Sequence, residues 1–124
     1  MIAACKKLRT QIDFGMFLPV QKAAIAALTG PLDSVKRQCG EYQARRDALC
    51  GGLRSIGWNV PDAQGTMFVW AKVPEGYASS AEFALDLLEK TGVIVVPGSA
   101  FGRHGEGYVR MALVVPPERM QEAV

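Results

Sequence analysis

Met67-Phe68-Val69-Trp70-Ala71-Lys72-Val73 is the stretch on which the fold turns. Aromatic and β-branched side chains favour a pleated surface, so these seven residues predict a buried strand. Upstream of Gly57 the apolar residues recur with a helical period; from Trp58 onward short strands and helices alternate. Immediately before the strand, Pro61-Asp62-Ala63-Gln64-Gly65 predicts a turn, and Trp58 to Val60 a short strand leading into it. Further back lies the longest helix, with Asp33 as its cap and Gly57 as its end. Val35, Cys39, Tyr42, Leu49, Leu53 and Ile56 lay an apolar stripe along one face, while Arg37, Gln38, Glu41, Arg45 and Asp47 fall largely off it. Gly40, Gly51 and Gly52 weaken a free-standing helix by ~1 kcal/mol each, which favours packing on a sheet over a coiled coil. Pro19 suits the first turn of a helix over Val20 to Leu28, closed by Gly30-Pro31. Thr10 to Phe17 is an irregular connector, and Met1 to Arg9 is helix-like, opening without a cap as a cut helix would.

Downstream, Pro74-Glu75-Gly76 turns the chain, and Ser79-x-x-Glu82 is a capping box before the helix Phe83 to Leu88, stopped at Lys90-Thr91-Gly92. Val93 to Val96 predicts an apolar strand ending at Pro97-Gly98. A glycine-rich loop leads through Phe101-Gly102-Arg103-His104-Gly105-Glu106-Gly107 into a last strand, Tyr108 to Val115. Pro116-Pro117-Glu118 begins a final helix that is unfinished at Val124. Helices followed by β-β-α-β-β-α predict an α+β fold, with helices packed on a small, mostly antiparallel sheet, and one domain over residues 1–124. Both ends are expected to be truncated.

The 124 residues carry 49% hydrophobic and 21% charged side chains, the profile of a globular chain rather than a disordered one. A net charge of +2, with no basic run longer than Lys6-Lys7 or Arg45-Arg46, argues against a nucleic-acid surface. No apolar run approaches the ~20 residues of a membrane span, and the N-terminus lacks the pattern of a signal peptide. Cys5, Cys39 and Cys50 form neither a zinc pattern nor a complete disulfide set. Reduced, half-buried thiols of a cytoplasmic protein are expected.

Arg110 is the sharpest chemical signal, being the only charge in an otherwise apolar or aromatic strand of eight residues. A guanidinium on a buried face is costly unless an anion meets it, and its planar fork matches a carboxylate with two parallel hydrogen bonds. The competing reading places Arg110 on a solvated sheet face, or pairs it with Glu106 or Asp86. The loop Pro97 to Gly102 either brings backbone close to a ligand or simply turns the chain. It lacks the spacing of a phosphate loop. His104, the single histidine, is expected to be a solvated loop residue. Phe14, Met16 and Phe17 fill a core, wall a pocket or cover a partner, and the scattered carboxylates make no catalytic acid pair.

Taken in order, five segments cover essentially the whole chain and resemble the fold-type I aminotransferases of class I/II. They are Ile12-Asp13-Phe14-Gly15-Met16-Phe17-Leu18-Pro19-Val20-Gln21, Tyr42-x-x-Arg45-Arg46-Asp47-x-Leu49, Gly65-Thr66-Met67-Phe68-Val69-Trp70, Gly92-Val93-x-Val95-x-Pro97-Gly98-x-x-Phe101-Gly102 and Gly107-Tyr108-Val109-Arg110-Met111-Ala112-Leu113. The nearest likeness is to the LL-diaminopimelate or alanine/aspartate aminotransferase-like branch. The resemblance implies the C-terminal small domain of a pyridoxal-phosphate-dependent enzyme that moves an amino group between an amino acid and a 2-oxo acid in amino acid metabolism. It assigns Arg110 to the substrate α-carboxylate, with Phe14 and Gly15 as further substrate contacts, and gives this segment no catalytic, metal or cofactor-binding residue. The Schiff-base lysine belongs to a stretch before the matched region, and Lys6, Lys7, Lys22, Lys36, Lys72 and Lys90 stand outside such a context. The cofactor is therefore expected in the full-length protein and not on this segment, which is expected to be inactive alone. Its partners are expected to be the large domain of its own polypeptide, over an exposed apolar patch, and a second copy in a homodimer. Nucleic acid and membrane are not expected. The alternative is a non-catalytic α+β module that binds small carboxylates or a protein.

Overall fold

Five α-helices and three strands form in the computed structural model, which describes residues 1–13 and 15–124. They are α1 (Ile2–Ile12), α2 (Leu18–Thr29), α3 (Asp33–Ser55), β1 (Phe68–Lys72), α4 (Ser80–Thr91), β2 (Val96–Pro97), β3 (Tyr108–Ala112) and α5 (Pro117–Glu122). The chain divides into two units, Met1–Lys36 and Arg37–Val124. In the first, α1 begins at Met1 without a side-chain cap and ends where the Asp13 amide donates to the Arg9 carbonyl. Proline in the first turn of α2 and extended backbone at Gly30 bound that helix. Neither α1 nor α2 buries a residue, and Ile2, Leu8, Phe17, Ile25 and Leu28 are exposed.

The second unit is built on an antiparallel sheet in the order β1-β3-β2. Trp70 on β1 and Val96 on β2 both lie opposite Arg110 on the central strand. Bonds from the Val73 amide to Gly107 and from the Leu113 amide to Met67 extend the β1–β3 pairing past each end. Pro97 sits on an edge strand, where its missing N–H costs no ladder bond. Because side chains alternate across a strand, Val69, Ala71, Val109 and Met111 turn to one face and are buried. Leu49, Cys50 and Leu53 of α3, Phe83 and Ala84 of α4, and Met120 of α5 join them in one core.

The β-β-α-β-β-α expectation needs correction at two of its strands. Trp58 to Val60 is irregular, because its polar groups are met from elsewhere. Arg54 donates to the Val60 carbonyl at 3.0 Å, and the Trp58 indole donates to the Lys72 carbonyl at 2.8 Å. Val93 to Val95 likewise pairs with no strand, leaving only Val96–Pro97 as β2; the Val93 amide donates to the Thr91 hydroxyl at 3.1 Å. The stripe on α3 is also displaced. Val35, Cys39 and Ile56 are exposed, whereas Leu49, Cys50 and Leu53 are buried. Arg45 and Arg46, half-buried, bond the Leu113 carbonyl at 3.1 Å and the Ala63 carbonyl at 3.2 Å. Guanidinium groups on this helix therefore tie α3 to the chain leading into β1 and to the chain leaving β3. The cysteines are not uniformly half-buried: Cys5 and Cys39 are exposed, and burial pushes the Cys50 thiol up from its ordinary pKa.

Candidate functional site

The face of the sheet turned away from the core carries Phe68, Trp70, Tyr108 and Arg110. Arg110 is half-buried there, with its guanidinium carbon 4.2 Å from the centre of the Phe68 ring and 4.6 Å from that of Phe101. Trp70 meets Phe101 edge-on at 5.7 Å and stacks on Tyr108 at 5.7 Å with planes 16° apart. A cation held against the negative faces of aromatic rings gains attraction without neutralising its charge. None of the six ion pairs among the described residues includes Arg110.

Both acids that compete for Arg110 in the sequence are engaged elsewhere. One oxygen of Glu106 accepts from the Ser80 amide at 2.6 Å and from the Gly107 amide at 2.9 Å. Those two backbone bonds hold its carboxyl below the ordinary value. Asp86 accepts from Lys90 at 2.9 Å and from the Tyr77 hydroxyl at 2.6 Å, and its pKa too is lowered, by Lys90 first and Tyr77 second. The same contacts raise Tyr77 and Lys90.

Phe101 is placed by the glycine-rich loop, which contains two short 3-10 turns, Gly98–Phe101 and Arg103–Gly105. Gly98 and Gly105 are buried against each other's backbone, so a Cβ on either would collide with the other's carbonyl. The loop glycines thus bring two parts of one loop together, a third role beside the two weighed from the sequence. Ser80, fully buried at the start of α4, ties the loop down through the Ser99 hydroxyl at 3.3 Å and the Ser99 amide at 3.4 Å. His104 is exposed and accepts from Arg103 Nε at 3.2 Å.

Of the other candidates, Gly15 belongs to the first unit. Its φ of 127° is one that a side chain would strain, and it borders an open groove with Lys6, Arg9, Asp13 and Met16. Phe14 lies outside the described residues. All six lysines are exposed, and Lys90 is held protonated by Asp86, whereas an imine-forming lysine needs a desolvated or cationic setting that lowers its pKa. The lysines present therefore do not fit the anchoring of pyridoxal phosphate. Among the described residues no group of three or more His, Cys, Asp or Glu is placed to hold a metal, and no helix is long and apolar enough to cross a membrane. The aromatic setting of Arg110 was missed in the sequence. Its signal is the alternation Phe68-x-Trp70 opposite Tyr108-x-Arg110, which places all four side chains on one face.

The family model for aminotransferases of class I and II matches residues 1–124. The chain is 48% identical over 124 residues to LL-diaminopimelate aminotransferase of Halothermothrix orenii, covering 100% of this chain and 32% of that protein. Identity to the LL-diaminopimelate aminotransferase of Moorella thermoacetica is also 48%, again over 100% of this chain and 32% of the relative. The chain thus spans about a third of the length of these curated relatives. Among solved structures, an aminotransferase from Staphylococcus aureus superposes with a TM-score of 0.83 at 34% identity, covering 98% of this chain and 32% of that one. Alanine aminotransferase from Pyrococcus furiosus gives a TM-score of 0.77 at 36% identity, over 85% of this chain and 27% of that one.

Proposed function

Because the chain belongs to the aminotransferases of class I and II, we propose that residues 1–124 form the C-terminal, substrate-carboxylate-binding part of a pyridoxal-phosphate-dependent enzyme. The whole protein transfers an amino group between an amino acid and a 2-oxo acid, with LL-diaminopimelate as the amino acid. The relatives of that name, identical at 48% of positions, support this choice of substrate. The cofactor is held by residues beyond this segment, where it supplies the electron sink for the reaction. The part played by this chain is to bind and orient the substrate.

What carries the reading is Arg110, a half-buried guanidinium with aromatic rings against it and, among the described residues, no carboxylate paired to it. Its N–H fork binds the substrate α-carboxylate through two parallel charge-assisted bonds. Gly15, with Phe14, is proposed as a further substrate contact on the family likeness alone. The whole enzyme is proposed to work in the cytoplasm as a homodimer. The test is Arg110→Ala in the full-length enzyme. Loss of a buried charge-assisted pair lowers kcat/KM for amino and 2-oxo acids by roughly 30-fold to several-thousand-fold, the equivalent of ~2–5 kcal/mol. A change of only a few-fold would remove Arg110 from the site.

A further inference from the structure

We propose that Phe68 and Phe101 are positioning residues that form an aromatic clamp, presetting the plane of the Arg110 guanidinium before substrate arrives. The proposal rests on the reading of Arg110 as the carboxylate ligand and adds what holds that ligand in place. Its basis is the pair of cation–ring contacts at 4.2 Å and 4.6 Å, which come from two separate parts of the fold. Phe68 is on β1, two residues from the direct partner of Arg110, and is fixed by the sheet register. Phe101 ends a 3-10 turn whose backbone is fixed by the contact of Gly98 with Gly105 and by the buried Ser80, and Trp70 meets its ring in a T-shaped contact.

The guanidinium carbon lies over both rings, and neither ring brings a carboxylate or carbonyl oxygen to occupy an N–H of the group. Its N–H edges remain for an oxyanion. A free arginine side chain gives up rotamer entropy when it is fixed, and one ordered in advance loses less of it on binding. The clamp thus acts on the affinity for the substrate carboxylate, equally in the ground state and in the transition state. Such a contribution appears in KM and leaves kcat nearly alone.

The test uses the full-length holoenzyme and four variants. Phe101→Leu keeps an apolar side chain but removes the ring face; since Phe101 is 51% exposed, the change does not hollow the core. It is expected to raise KM for both amino and 2-oxo acid about fivefold to tenfold, with kcat within about twofold, the size of one or two cation–π contacts. Phe68→Leu is expected to do the same. Phe101→Tyr, which restores the ring face, is expected to recover most of the lost affinity. Arg110→Ala in parallel separates the two ideas. If Arg110→Ala abolishes carboxylate binding while both leucine variants keep KM within about twofold, the clamp is wrong and the carboxylate role stands. If leucine and tyrosine at 101 raise KM equally, the ring acts only as bulk and the clamp is again wrong. If Arg110→Ala itself changes little, both ideas fall together.

Discussion

At the scale of single residues, the most constrained positions are not the charged ones. Gly98 and Gly105 meet backbone to backbone, and a Cβ at Gly98 would also lie 2.7 Å from the Tyr108 carbonyl, in an interior with no slack to absorb it. Gly98→Ala is expected to lower stability by about 1–3 kcal/mol, the usual cost of forcing extra atoms into a packed site. A urea titration followed by circular dichroism measures this as a lower midpoint at unchanged slope, and an unmoved midpoint would mean that the loop yields freely. Nothing in the sequence singles out that pair, since glycine serves turns, close approaches and positive φ alike. Arg110 was legible because a lone charge in an apolar strand asks for an explanation. Its neighbours were less so, because Phe101 reaches it across nine residues of loop and strand and no local spacing records that contact.

At the scale of elements, the clearest case of local legibility is α4. Ser79 accepts from the Glu82 amide at 3.1 Å, and Gly92 ends the helix in the left-handed conformation with φ 74°. The Glu82 carboxylate accepts from the Ala78 amide at 2.9 Å, one residue before the bond of a standard capping box. What the sequence conceals is the second cap, Glu106, which reaches from a distant loop to the Ser80 amide. Its pH dependence has a definite sign. A carboxyl whose pKa is lowered on folding adds stability above its unfolded value, near 4.3, and loses it as pH falls through the folded value. Glu106→Gln, which keeps an acceptor but not the charge, is expected to melt below the parent at pH 7. The two melting curves should converge as pH drops below about 4. A gap in Tm that stays constant from pH 7 to pH 3 would show that the charge contributes nothing to the cap. The strands were harder to read than this helix. Trp58 to Val60 and Val93 to Val95 have strand-forming side chains, yet a strand requires a neighbour, and here side chains of α3 and Thr91 take up backbone groups instead.

At the scale of the whole molecule, the second unit segregates its two sheet faces. One is sealed by α3, α4 and α5 over an apolar core; the other carries aromatic rings and a guanidinium. That division follows from the period of two in β1 and β3, and the α+β class with it was readable from the alternation of periods. The short β2 and the two-unit division were not, since both depend on contacts between residues far apart in the chain. In the first unit α1 and α2 bury no residue, so periodicity there predicts a helix without saying what covers it. The role of Arg110 is tested best by a crystal structure of the full-length enzyme with a 2-oxo acid substrate bound. Both carboxylate oxygens are expected in the plane of the Arg110 guanidinium, at about 2.7–2.9 Å from its nitrogens. A substrate carboxylate bound by other groups, with Arg110 turned to solvent or paired to a protein acid, would contradict it.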